Sequence, residues 1–150
     1  MNLRGQAATE YLIILAVVVI IALIVVGVLG AFPALSGGVT KQQSEAYWLN
    51  AEIGVLPNYR FSGNTANLTI KNNKGFTIRV TGIEFDGRGR MSPRSVLLAP
   101  GTQADIGVTG LSRCNAGEQI GYTVSIDYED SASGRDFTFT GTTQLVGTCQ

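Results

Sequence analysis

Between Tyr11 and Phe32 the chain reads YLIILAVVVIIALIVVGVLGAF, a run without one charged residue. Wound as a helix at about 1.5 Å per residue it would be roughly 33 Å long, close to the ~30 Å of a bilayer's hydrocarbon core. A helix lying on a soluble core keeps a polar stripe, and this run has none. The sequence therefore predicts a membrane-inserted helix. A cleavable secretory signal would have an apolar core of about 7–15 residues ending in small residues at the cut. This run is longer, and Gly30-Ala31-Phe32-Pro33 makes a poor site of that kind. Arg4 is the one charge before Glu10, so the positive-inside preference places the N-terminus in the cytoplasm and the remainder outside.

Glu10 stands at the mouth of this run. A central acidic residue costs about 2.5–3.5 kcal/mol on insertion, whereas each Leu, Ile, Val or Phe returns about 0.3–0.6. The run tolerates the carboxylate, but tolerance does not explain it. An ionisable group in such a place calls for a named partner. Ile13 and Ile14 lie one turn ahead and Gln6 one turn back. A cut between Gly5 and Gln6 would create an α-amino group on that same face, and that amine, in this copy or a neighbour, is the natural counter-charge. The plainer reading is that Glu10 caps a helix N-terminus, where negative charge is favoured. The two roles can coexist.

Arg4-Gly5-Gln6, Glu10 and the Ile/Val/Leu run together resemble the class III signal peptides of archaeal type IV pilin-like proteins. That pattern has Gln first after the cut, Ser third, Glu fifth and Leu ninth. Gln6 and Glu10 match; Ala8 stands for the serine and Ile14 for the leucine. The resemblance implies removal of the leader after Gly5 by a prepilin peptidase. It also implies packing of the retained helix beside other copies in a filament core. There the contact between Glu10 and the Gln6 amine would set axial register, since a misplaced subunit leaves both charges unpaired in low dielectric.

Beyond the run, Gly27, Gly30 and Pro33 would bend the helix or let it fray. Ser36-Gly37-Gly38 reads as a break, and VTKQQSEAYWLN as a second short helix or a resumption of the first. From about residue 53 the apolar period becomes two. Leu68 and Ile70, then Phe76, Ile78 and Val80, the run Ile120, Tyr122, Val124, Ile126 and Tyr128, and finally Phe137 and Phe139 alternate with polar neighbours. The alternation slips at Gly82, as a β-bulge requires. Asn72-Asn73-Lys74-Gly75 and Ala132-Ser133-Gly134 are turn chemistry. Six to eight strands in an antiparallel sandwich are expected.

The chain has no histidine and a formal net charge of zero. The commonest general base and metal ligand is thus missing, and nothing electrostatic favours nucleic acid. No phosphate cradle, SxxK spacing or convincing carboxylate pair is found, so no catalytic residue, metal or cofactor is assigned. Cys114 and Cys149 fit neither a zinc pattern nor CxxC. Exported, they read as a disulfide; otherwise they are two buried thiols. Asn67-Leu68-Thr69 is a glycosylation acceptor pattern, and with Leu68 inward Asn67 should face out. Gly87-Arg88-Gly89-Arg90 with Arg94 is a solvated hairpin tip, or a touchpoint for a polyanion or neighbouring subunit. Asp127, Glu129 and Asp130 read as surface carboxylates rather than a calcium loop. Tyr47 and Trp48 are a membrane-interface anchor or, preferably, part of the head's core.

The expectation is an α+β chain, a long N-terminal hydrophobic α-helix followed by an antiparallel immunoglobulin-like β-sandwich head. Its parts are leader 1–5, membrane and filament-core helix 6–35, linker or helix continuation 36–52, and head 53–150. The expected role is a pilin of an extracellular type IV pilus-like filament, possessing adhesive capacity in its head, held in the cell membrane as precursor. Its partners would be copies of itself in a helical filament, the prepilin peptidase and assembly machinery, and membrane lipid before assembly. The alternatives are a membrane-anchored extracellular binding module, or a minor or tip pseudopilin.

Overall fold

The structure, a computed structural model, describes residues 3–30 and 38–150, and in the first stretch the side chains from Glu10 to Val25. The chain divides into two units, Met1–Gly38 and Val39–Gln150. Among the described residues the first holds one helix, α1 (Leu3–Gly30). Every described side chain of α1 is exposed.

The second unit begins with a short helix, α2 (Lys41–Asn50). Its start is fixed by a capping box. The Gln43 N–H donates to Thr40 Oγ1 at 3.3 Å, and the Thr40 N–H to Gln43 Oε1 at 3.1 Å. Eleven strands follow among the described residues: β1 (Ile53–Val55), β2 (Arg60–Ser62), β3 (Thr65–Asn72), β4 (Ile78–Phe85), β5 (Arg90–Ser92), β6 (Val96–Leu98), β7 (Gln103–Thr109), β8 (Gln119–Tyr122), β9 (Val124–Asp130), β10 (Arg135–Thr140) and β11 (Leu145–Thr148). One sheet runs β1-β3-β7-β5 with β2 also beside β3; the other runs β10-β9-β4-β6; β11 and β8 form a ribbon. All of these pairings are antiparallel.

The two sheets face each other across one core. Ile53, Leu68, Ile70, Ile106 and Val108 come from the first, and Ile78, Val80, Ile83, Phe85, Leu98, Val124 and Ile126 from the second. Phe61, Phe85 and Tyr122 meet at its centre with ring centroids 5.5–6.1 Å apart. The register of β4 against β9 shifts between Val80 and Gly82, so the bulge lies where the alternation slips. Trp48 is wholly buried in this core, as one of the two sequence readings has it.

Several expectations need correction. The fold is not α+β with a long hydrophobic helix. Strands dominate the described residues, α2 is short, and among the described residues no helix is long and apolar enough to cross a membrane. The head has eleven strands among the described residues rather than six to eight, in the sheet orders just given. Of the two readings of VTKQQSEAYWLN, a second short helix is the one found, as α2, and it lies in the second unit. The alternating run from Ile120 to Tyr128 is two strands, β8 pairing with β11, and β9 with β4 and β10. Phe76 and Phe137 are 38% and 44% exposed rather than interior. Pro33 and the Ser36-Gly37 part of the predicted break lie outside the described residues.

Burial lifts the phenols of Tyr59 and Tyr122 above their ordinary value near 10, with nearby Glu45 adding to the first and Asp86 to the second. The unfolded chain therefore loses these protons first. Stability should be level below about pH 10 and fall as pH rises through the folded-state values. Urea midpoints measured at about pH 9, 10 and 11 should show that fall. It should be shallower in Tyr59→Phe and Tyr122→Phe; an unchanged slope in both would assign the effect elsewhere.

Candidate functional site

The described part of α1 presents apolar groups around its whole circumference. Leu12, Ile13 and Ile14 are 60–63% exposed, and the other large apolar side chains to Val25 are at least 45% exposed. At about 100° per residue these positions cover every face, so no side of this stretch is adapted to water. Glu10 is its one charged residue, and it too is exposed. The backbones of Gly5 and Gln6 lie within α1, while the Gln6 side chain lies outside the described residues, as does the Gln6–Glu10 contact.

Cys114 and Cys149 form a disulfide, with Cα atoms 6.1 Å apart, and both are buried. The bridge ties the chain end to the loop before β8. The Gln150 N–H donates to Phe61 O at 2.8 Å, and the Cys149 N–H to Glu118 O at 2.9 Å. Cys149 thereby joins the β8–β11 ribbon to β2 of the first sheet.

Asn67 sits in mid-strand on β3, its backbone flanked by Arg60 of β2 and Gly107 of β7. Its side chain faces outward and Leu68 inward. Around it Asn58, Arg60, Thr69, Asp105 and Gly107 line a shallow polar basin on the outer face of the first sheet. Thr69 is buried: it accepts from Asn58 Nδ2 at 2.9 Å and donates to Asp105 Oδ1 at 2.5 Å. Sequence reasoning found Asn67 but missed the basin, because its residues come from separate strands.

The other candidates do not converge. Asp86-Gly87, both at positive φ, make the two-residue turn between β4 and β5, and Arg88, Arg90 and Arg94 follow it exposed. Asp127 accepts from Thr138 Oγ1 at 2.6 Å, and Glu129 lies 3.9 Å from Arg79. Asp130 accepts from Ser133 Oγ and the Ala132 N–H, bonds that hold its carboxyl below the ordinary value. No metal-binding group of His, Cys, Asp and Glu is present among the described residues.

No family model matches the sequence, and no curated protein matches it. Among solved structures the chain is similar to the ASH/PapD-like domain of human CEP192 (PapD-like domain 7). The two are 18% identical over 61% of this chain and 76% of that one, with a TM-score of 0.32.

Proposed function

We propose that the chain is a structural subunit of an extracellular type IV pilus-like filament, trimmed after Gly5 and assembled through α1. The supporting observation is the continuous apolar circumference of residues 11–25. Fully burying a Val, Leu or Ile side chain is worth about 1.5–3 kcal/mol, so a stretch with this many exposed apolar groups has a strong drive to leave water. Lipid of the cell membrane shelters that surface before assembly, and identical helices shelter it afterwards. The leader pattern Arg4-Gly5-Gln6 with Glu10 adds the processing step and the register contact. The sandwich then coats the fibre and offers the adhesive surface.

Intact mass and N-terminal sequencing of native material test this. A chain beginning at Gln6 is expected; retention of MNLRG supports the plain membrane-anchored module instead. Low copy number in isolated fibres would mark a minor or tip subunit. Replacing Glu10 by alanine should leave cell-associated protein unchanged and cut fibre yield about tenfold or more, because a buried amine without its counter-charge costs several kcal/mol. Normal yield from Glu10→Ala, or a pyroglutamate at position 6, would remove the ion pair from the account.

A further inference from the structure

We propose that Asn67 carries an N-linked glycan that can be added only before the head folds, the fold itself closing the acceptor. The inference rests on the exported half of the reading above, not on polymerisation. Asn67 supplies an outward amide with room around it. Its cross-strand neighbour on β7 is Gly107, which has no side chain, and the Arg60 side chain opposite is exposed. The surrounding groups, Asn58, Arg60 and Asp105, offer donors and acceptors suited to sugar hydroxyls.

The second half of the acceptor is shut. In an Asn-x-Thr sequence the enzyme must engage the threonine as well as the asparagine. Here Thr69 is 6% exposed, with its hydroxyl engaged by both Asn58 and Asp105. The backbone from Thr65 to Lys71 is paired to β7, and Arg60 to Ser62 of β2 covers part of the other edge. Presenting residues 67–69 in an extended form to an enzyme cleft would require pulling β3 out of the middle of its sheet. A strand held on both sides opens only with the sub-global unfolding of its sheet. The open window is the interval between export and closure of this sheet.

The transfer is a displacement. Asn67 Nδ2 attacks the anomeric carbon of a polyprenyl-phosphate-linked oligosaccharide and an N–C bond forms. The anomeric C–O bond to phosphate breaks, the lipid phosphate leaves, and the amide nitrogen gives up one proton. In the finished molecule the first sugar lies over the basin.

Peptide mapping of the native protein from its own cells comes first. A glycan beginning with a hexose or N-acetylhexosamine on Asn67 is expected, and an unmodified Asn67 overturns the proposal. Unglycosylated full-length chain in detergent, folded or reduced and unfolded in urea followed by dilution, is then incubated with an oligosaccharyltransferase and its lipid-linked donor. The unfolded chain should be modified at least tenfold faster than the folded one. Equal rates overturn the folding gate. In cells Thr69→Ala should abolish the glycan and Thr69→Ser retain it, which separates lost acceptor chemistry from lost folding; loss in both variants counts against the assignment. A glycan on a chain never found in fibres would leave this proposal standing and remove the filament.

Discussion

Replacing Trp48 by alanine is expected to destabilise the head by about 3–5 kcal/mol. The ring is wholly buried and meets Tyr47 and Phe139 edge-on at centroid distances of 5.3 and 6.1 Å. It also lies against Gly141 so closely that a Cβ there would come within 2.3 Å of Cζ2. No other side chain of α2 enters the core so fully; Ser44 alone shares its burial, and Ser44 contributes hydrogen bonds. The indole is thus the apolar anchor of α2, and its loss opens a cavity that backbone hydrogen bonds hold apart. Its Nε1 has no hydrogen-bond partner among the described groups. Trp48→Phe removes that unpaired donor together with part of the volume, and should therefore cost only about 1–2 kcal/mol. Gly141→Ala should cost roughly 1–3 kcal/mol by overpacking against the same ring. Denaturant titrations of the full chain in detergent, followed by circular dichroism, order the three variants. A phenylalanine variant as unstable as the alanine one would contradict the account.

What could be read in advance followed from parity. Leu68, Ile70, Ile78, Val80 and Ile126 lie inside as their alternation implies, and the one-residue slip at Gly82 is a real change of register. Parity names a face, however, and not what covers it. Phe137 points to the core side of β10, but β10 is the edge of its sheet, so the ring stacks on Tyr128 at 5.5 Å and keeps its other side open. Phe76 sits in the turn before β4 rather than in the strand, with Lys74 5.6 Å over its ring. Nor does parity name a partner. Alternation runs unbroken through Thr123 while the hydrogen bonds pass from β11 to β4 and β10. Strands β1, β2, β5 and β6 have three residues each, too few for any period to register. The acceptor Asn67 was legible as a motif, but the closed state of Thr69 depends on Asn58 and Asp105, and only folding brings these together.

The Cys149→Ser substitution should cost about 4 kcal/mol, the chain-entropy value for a loop spanning a sequence separation of 35. For a unit of this size that lowers the melting temperature by on the order of 15–25 °C. The loss should begin locally. Freed from Cys114, the chain end keeps the hydrogen bonds to Phe61 and Glu118, while the loop from Leu111 to Glu118 loses its covalent closure. Amide exchange should therefore quicken first in β8 and β11 and last in the β4–β9 pair at the centre of the other sheet. Loosened β11 also loosens α2. Ser44 Oγ donates to Gln144 O at 2.8 Å and accepts from the Val146 N–H at 2.9 Å, and the Thr142 N–H donates to Tyr47 Oη at 3.0 Å. The Trp48 anchor and the disulfide thus hold opposite ends of one connected element. Their effects should fall short of additivity by about 0.5–3 kcal/mol in a double-mutant cycle. Simple additivity, or uniform exchange across both sheets on reduction, would mean that β11 transmits nothing between them.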